Sequence, residues 1–85
     1  MIPKHLLHFF WDVNPDTFQP DAYPEYTIAR ILEVGDSDAV TWMKELFPEE
    51  AIKVVIRTDR RLTPRSANYW ALIYQIPPQD VVALQ

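Results

Sequence analysis

Apolar positions recur every three or four residues between residues 24 and 58, and this spacing predicts a series of short amphipathic helices. The first helix spans residues 24–34, and Gly35 follows it at the position where a left-handed residue commonly ends a helix. The second spans residues 37–47, and Asp36 precedes it as a residue that can cap free backbone N–H groups. Both helices gather their large apolar side chains on one face, so each is expected to pack against a common core.

A third helix is predicted to begin at Pro48, because proline suits the first helical position. Glu49 and Glu50 follow it, and acidic side chains favour the first turn of a helix. Residues 52–56 are rich in β-branched side chains, so a strand is the alternative for this segment. The apolar positions repeat with a period near 3.6 rather than two, which favours the helix.

The segment at about residues 63–76 is predicted to be the central helix of the fold. Thr63 can cap it and Pro64 suits its first position, while Pro77 and Pro78 prevent it from continuing. It is apolar nearly all round, and its thin polar stripe consists of Arg65, Asn68 and Gln75. A helix of this kind is expected to be covered on several sides. The sequence therefore predicts an all-α fold, a compact bundle of four or five short helices around this C-terminal helix.

The whole chain, residues 1–85, is expected to form a single small helical domain. Residues 1–24 are rich in aromatic side chains and proline, and most of this segment is predicted to be irregular. Its first part could be a short helix that starts at Pro3 or an extended strip on the core. Residues 78–85 form a short apolar tail, either a terminal helix or a strip that could pair with a second copy of the chain.

The composition limits the class of protein. The 85 residues are 48% hydrophobic and include no cysteine, which excludes disulfides and thiolate metal sites. No stretch approaches the ~20 apolar residues of a membrane span, and the first residues lack a signal-peptide cleavage pattern. We therefore expect a cytoplasmic protein that makes no membrane contact.

The net charge of −4 conceals a difference between the two parts of the chain. Residues 1–50 carry a net charge of −7, whereas residues 51–85 carry +3. The basic residues of the second part cluster before and within the predicted central helix. The candidate partner-binding residues are Arg57, Arg60, Arg61, Arg65 and Asn68.

No arrangement of residues indicates catalysis or a cofactor. A single glycine cannot build a glycine-rich phosphate loop, and neither serine belongs to a nucleophile motif. His5, His8 and Asp12 would share one face of a helix, but zinc sites usually have three or four convergent ligands with supporting shells. We expect ordinary histidines, no metal, no cofactor and no enzyme.

Three segments resemble a family of short prokaryotic proteins of unknown function. They are residues 9–13 (FFWDV), 30–36 (RILEVGD) and 60–72 (RRLTPRSANYWAL). The third is the most distinctive, although the family pattern would have Phe at the position of Tyr69. Members are commonly encoded beside nucleotidyltransferase-type toxins of the AbiEii kind. The resemblance implies an antitoxin-like or accessory role and no established activity.

Two functional hypotheses follow. The first is a protein-interaction module, because the chain is rich in Trp, Tyr and Arg, which dominate binding hot spots. The alternative is a helix-turn-helix-like protein that binds nucleic acid. In that case Arg65 and Asn68 would read bases, and Arg57, Arg60 and Arg61 would contact phosphates. The acidic pI of about 4.9 and the narrow polar stripe favour the protein-interaction module.

Overall fold

The computed structural model describes residues 2–85, which form four α-helices joined by short turns. The helices are α1 (Pro24–Val34), α2 (Ser37–Leu46), α3 (Glu49–Thr58) and α4 (Pro64–Ile73). A longer 3₁₀ helix, Lys4–Phe10, precedes them in the chain. Single 3₁₀ turns lie at Pro20–Ala22, Pro78–Asp80 and Val82–Leu84. Residues 2–85 form no strand. The all-α prediction is confirmed, and residues 52–56 are helical.

Local capping signals account for the starts of α2 and α4. The Asp36 carboxylate accepts a hydrogen bond from the backbone N–H of Ala39 at 2.9 Å. The Thr63 hydroxyl accepts one from the backbone N–H of Ser66 at 3.2 Å, and Pro64 occupies the first position of α4. Each cap satisfies a donor that the helix itself leaves free. Both predicted helix starts are confirmed.

The central element is α1. It packs against α2, α3, α4 and the N-terminal 3₁₀ helix Lys4–Phe10. Its buried side chains are Thr27, Ile28, Ala29, Ile31 and Leu32. Thr27 is the polar member of this set, and its hydroxyl donates a hydrogen bond to the Pro20 carbonyl oxygen at 3.0 Å. Burying that hydroxyl is therefore tolerated.

The helix predicted at about residues 63–76 is present as α4, but the central position predicted for it is taken by α1. Helix α4 ends at Ile73, and it lies on the side of the bundle. Its buried residues, Ala67 and Ala71, are small and four apart, so the face that contacts the core is narrow. The other large side chains are spread around a helix that an 85-residue chain has too few elements to enclose.

The prediction that Gly35 adopts a left-handed conformation was also wrong. Its φ is −72° and its ψ is 158°, which is extended backbone open to other residues. Glycine is required there for space, since a Cβ atom would lie 2.7 Å from the Ile31 carbonyl oxygen and 3.1 Å from the Ala39 Cβ atom. The left-handed residue of the chain between residues 2 and 85 is Gln75, with φ of 57°.

The N-terminal segment is more regular than predicted. Residues 4–10 form a 3₁₀ helix that buries Leu6 and Phe10, which agrees with the short-helix alternative. Further along, the Phe18 and Tyr23 rings stack with centroids 5.7 Å apart. Phe18 is half-buried against the core, whereas Tyr23 is exposed. The aromatic residues therefore anchor this segment only in part.

The C-terminal tail folds back onto its own chain. Its second 3₁₀ turn, Val82–Leu84, packs against α3 and α4, and Val81 just before it is completely buried. Ala83 and Leu84 are half-buried against the same core. The terminal-helix alternative thus describes the tail better than a free apolar strip. None of the helices within residues 2–85 combines the length and the apolar character needed to cross a membrane.

Candidate functional site

Three large apolar side chains stand exposed on one side of α4. Tyr69 is 56% exposed, Leu72 69% and Ile73 53%. Residues three and four apart are neighbours on a helix surface, so these side chains form one patch. We call this patch the α4 outer face. Other exposed apolar side chains lie on different elements, for example Trp11 and Val54.

The α4 outer face adjoins an open groove between α2 and α4. This α2–α4 groove has a volume of about 710 Å³. Its apolar lining comes from Leu32, Val40, Tyr69, Trp70 and Ile73. Charged side chains also line it, namely Asp36, Lys44 and Arg65. The size falls within the ~300–1,000 Å³ typical of concave binding sites.

The rotation of α4 about its axis is set by contacts with α1. The Trp70 indole Nε1 donates a hydrogen bond to the Leu32 carbonyl oxygen at 2.8 Å. At the start of α4, the Glu33 carboxylate accepts hydrogen bonds from the backbone N–H of Thr63 at 2.9 Å and from its hydroxyl at 3.0 Å. These contacts hold one side of α4 against α1, and Tyr69, Leu72 and Ile73 consequently point away from the core.

The structure separates the five residues predicted from the sequence. Arg65 lines the α2–α4 groove and Asn68 is exposed on the same helix, beside the α4 outer face. Arg57 is half-buried on α3, and Arg60 is exposed in the turn that follows it. Arg61 faces a different region, where it lines a small hollow beside α1. The cluster seen in the sequence is therefore not one surface.

Arg61 is already engaged by an acid of its own turn. Its guanidinium makes several contacts with Asp59, among them Nη2–Oδ2 at 2.5 Å and Nε–Oδ1 at 2.9 Å. The same carboxylate accepts a hydrogen bond from the Arg61 backbone N–H at 2.8 Å. The hydrogen bonds from Arg61 lower the pKa of Asp59, as a stable ion pair requires. Arg61 is thus less available to a partner than Arg57, Arg60 or Arg65, which form no ion pair within residues 2–85.

A second cluster, built around Arg30, was not predicted from the sequence. Arg30 makes two hydrogen bonds to the Asp12 carboxylate, at 2.8 and 3.0 Å, and a third to the Phe9 carbonyl oxygen at 3.0 Å. Its guanidinium lies 4.3 Å from the centre of the Trp11 ring and 5.0 Å from that of Tyr26. We call this group the Arg30 clamp. It joins the N-terminal segment to α1.

The contacts of the Arg30 clamp shift the pKa values of Asp12 and Tyr26 in opposite directions. The hydrogen bonds from Arg30 and then from Tyr26 lower the pKa of Asp12 to about 2. Burial, followed by the hydrogen bond to Asp12, raises the pKa of Tyr26 to about 12. Both shifts favour a carboxylate that accepts from a neutral phenol and a cation. The i, i+4 spacing of Tyr26 and Arg30 was visible in the sequence, but nothing local indicated that Asp12 would reach them.

The α2–α4 groove is also lined by hydroxyl groups. Ser37 and Ser66 line it, but neither histidine does. The Asp36 carboxylate is occupied as the cap of α2. Residues 2–85 contain no group of three or more His, Asp or Glu side chains placed to hold a metal ion. The groove therefore offers an apolar surface with two cations and hydroxyl groups.

Comparison with known proteins adds a family and no activity. No match to the chain was found among curated proteins or among solved structures. A family model matches residues 6–56, which is more than half of the chain and runs from the N-terminal 3₁₀ helix into α3. The matched region includes the resembling segments at residues 9–13 and 30–36 and leaves out the one at 60–72. The chain therefore belongs to DUF6922, a family of unknown function.

Proposed function

We propose that this protein is a small protein-interaction module that binds its partner through the α4 outer face. The observation that carries the proposal is the exposure of Tyr69, Leu72 and Ile73, each more than half exposed, on one side of one helix. Contiguous exposed apolar side chains rimmed by polar ones are typical of surfaces that bind other proteins. Arg65 and Asn68 supply such polar groups beside the patch.

Energetic arguments support this use of α4. Burying a leucine- or isoleucine-sized side chain contributes about 1.5–3 kcal/mol, so three neighbouring residues could supply a binding hot spot. Because contacts with α1 already hold α4 in place, a partner would lose little free energy in ordering this surface. The tail of the same chain packs against α3 and α4 but leaves these three residues exposed.

The identity of the partner forms a finer proposal, drawn from the resemblance described above. We propose that the partner is a nucleotidyltransferase-type toxin encoded nearby, for which this chain acts as an antitoxin or accessory subunit. Co-expression of the chain with the product of the adjacent gene tests this directly. Failure of the two proteins to co-purify at micromolar concentration would remove the toxin from the proposal and leave the interaction module in place.

Nucleic-acid binding is the competing function, and the α4 outer face argues against it. Arg65 and Asn68 are exposed on α4, as a base-reading helix would require. The neighbouring positions on that exposed side, however, carry Tyr69, Leu72 and Ile73 rather than cations. The chain also carries a net charge of −4, which disfavours approach to a phosphate backbone.

The proposed function is tested by purification of the tagged chain from its native host. We would compare the wild type with Leu72→Glu, and use Val54→Glu on α3 as the matched control. Val54 is 44% exposed, so both variants place a glutamate on the surface of a helix. Circular dichroism should show that both variants remain folded.

The expected result is a partner retained by the wild type and by Val54→Glu and lost with Leu72→Glu. A partner retained equally by all three proteins, or no partner at all, would refute the proposal. A gel-shift titration against DNA and RNA at several salt concentrations covers the alternative. Binding that Arg65→Ala weakens and Leu72→Glu leaves unchanged would favour nucleic acid.

A further inference from the structure

The α2–α4 groove combines an apolar lining with two cations. Lys44 and Arg65 have no carboxylate at ion-pair distance within residues 2–85. Val40, Trp70 and Ile73 contribute apolar surface between the two helices. The charged acid of the groove, Asp36, uses its carboxylate to cap α2, where the partial positive charge of the helix N-terminus offsets it. The groove therefore presents uncompensated positive charge beside apolar surface.

The two cations mark opposite ends of the groove. Arg65 lies in the first turn of α4. Lys44 lies in the last turn of α2 and also borders a hollow lined by Tyr74, the residue that ends α4. Glu49 borders that hollow as well, but it pairs with Lys53 at 3.9 Å. At 1.5 Å per residue, the span of α4 from Arg65 to Ile73 is about 12 Å.

We propose that the partner segment seated in this groove is an acidic amphipathic helix. Two carboxylates about two turns apart, at positions i and i+7, would be separated by about 10.5 Å and could pair with Arg65 and Lys44. Apolar residues at i+3 and i+4 would then face Val40, Trp70 and Ile73. This inference rests on the proposed function and specifies the chemistry of its partner.

The overall negative charge of the chain does not prevent this recognition. At physiological ionic strength the Debye length is about 8 Å, so acids on remote surfaces are largely screened from the groove. Lys44 and Arg65 border the groove itself and would act at contact distance. Charge complementarity of this kind sets specificity, since like charges across an interface are strongly disfavoured.

The test uses two synthetic peptides of about 16 residues, long enough to form a helix. Both carry leucine at i+3 and i+4, and they differ only in having glutamate or lysine at i and i+7. Fluorescence anisotropy would measure the binding of each peptide to the full chain. The proteins compared are the wild type, the double variant Lys44→Glu/Arg65→Glu, and Arg57→Glu as a control outside the groove.

The wild type and Arg57→Glu should bind the glutamate peptide about tenfold more tightly than the lysine peptide. The double variant should reverse this preference. Equal affinity for the two peptides, binding of neither, or a preference that the double variant retains would overturn the proposal. Dimerisation of the chain that the double variant abolishes would also overturn it, because a second copy would then occupy the groove.

The proposed function and the acidic-helix inference can fail independently of each other. If the host partner depends on Leu72 while the peptides show no charge preference, the interaction module stands and the acidic helix is wrong. If the peptides behave as expected but no host protein depends on Leu72, the groove is selective and the proposed use of the α4 outer face is wrong.

Discussion

Single side chains hold the N-terminal segment of this protein in place. Arg30 contacts Asp12, the Phe9 carbonyl oxygen and the Trp11 and Tyr26 rings, and so reaches across to a segment about 20 residues earlier in the chain. A guanidinium suits this position because it donates in a planar fork and stacks on aromatic rings at the same time. Trp11 remains 69% exposed, so it contributes to the Arg30 clamp through its contact with the guanidinium rather than through burial of its ring.

The Arg30 clamp should make stability depend on pH in the acid range. The pKa of Asp12 is about 2 in the folded protein, against an ordinary value of 3.8. The stabilisation is therefore present above pH ~4 and is lost as the pH falls towards 2. The Asp12 side chain is 44% exposed, so solvent screening limits the effect to about 1 kcal/mol or less.

Urea unfolding of the wild type and Asp12→Asn checks this expectation. The difference between their free energies of unfolding should be largest near pH ~6 and should shrink as the pH approaches ~2. Asp16→Asn, a change in an exposed turn, is the control. A difference between wild type and Asp12→Asn that stays constant over the whole range would contradict the role given to the clamp.

Gly35→Ala should destabilise the protein. A Cβ atom there would lie 2.7 Å from the Ile31 carbonyl oxygen, which can move only with the backbone of α1. Overpacking of this kind costs about 1–3 kcal/mol, whereas the lower entropy of the unfolded alanine chain returns about 0.4–1 kcal/mol. The melting temperature should fall by several degrees. Melting at or above the wild-type temperature would contradict this, because it would show that the corner between α1 and α2 accommodates a Cβ atom.

At the scale of elements, α4 ends in an arrangement that normally uses glycine. The backbone N–H of Ile76 donates to the Ala71 carbonyl oxygen at 2.8 Å. The backbone N–H of Gln75 donates to the Leu72 carbonyl oxygen at 3.3 Å. This pair of bonds defines a Schellman motif with Gln75 in the left-handed position. Ile76 and Ala71 are both buried, which suits the apolar contact that commonly accompanies this motif.

Gln75→Gly should therefore stabilise the protein by about 0.5–1 kcal/mol, because relief of the ~1–2 kcal/mol strain of left-handed backbone exceeds the ~0.4–1 kcal/mol of entropy that glycine adds to the unfolded chain. Gln75 is exposed, so little packing is lost. Thermal melting would measure the change. Gln79→Gly provides the control, since Gln79 is exposed without positive φ and glycine there should only add entropy to the unfolded chain. A lower melting temperature for Gln75→Gly than for wild type would refute this account of the α4 end.

The starts and ends of the helices show which parts of the fold the sequence could predict and which it could not. Helix starts were predictable because a cap such as Asp36 or Thr63 acts on the next few residues. The single glycine suggested a left-handed end for α1, but its role is to leave space against α2, which depends on tertiary packing. The left-handed Gln75 carries no local signal. Likewise, apolar content predicted that α4 would be enclosed, although enclosure depends on how many neighbours the fold supplies.

At the scale of the whole molecule, the basic residues of the second part of the sequence do not form a single basic surface. Lys53 pairs with Glu49 and Arg61 pairs with Asp59, so part of the basic half is neutralised locally. Arg65 lies with Lys44 of the acidic half at the α2–α4 groove. The folded chain thus brings together cations that the sequence separates, and it places them beside exposed apolar residues.

Site-specific photo-crosslinking in the native host tests most directly whether the α4 outer face binds a partner protein. A photoreactive phenylalanine analogue would replace Leu72 in one protein and Val54 in another, so that the crosslinker sits on α4 or on α3. We expect a discrete crosslinked protein partner from position 72 and none, or far less, from position 54. Equal yields from the two positions, or no crosslink at position 72 while the chain remains folded, would contradict the account.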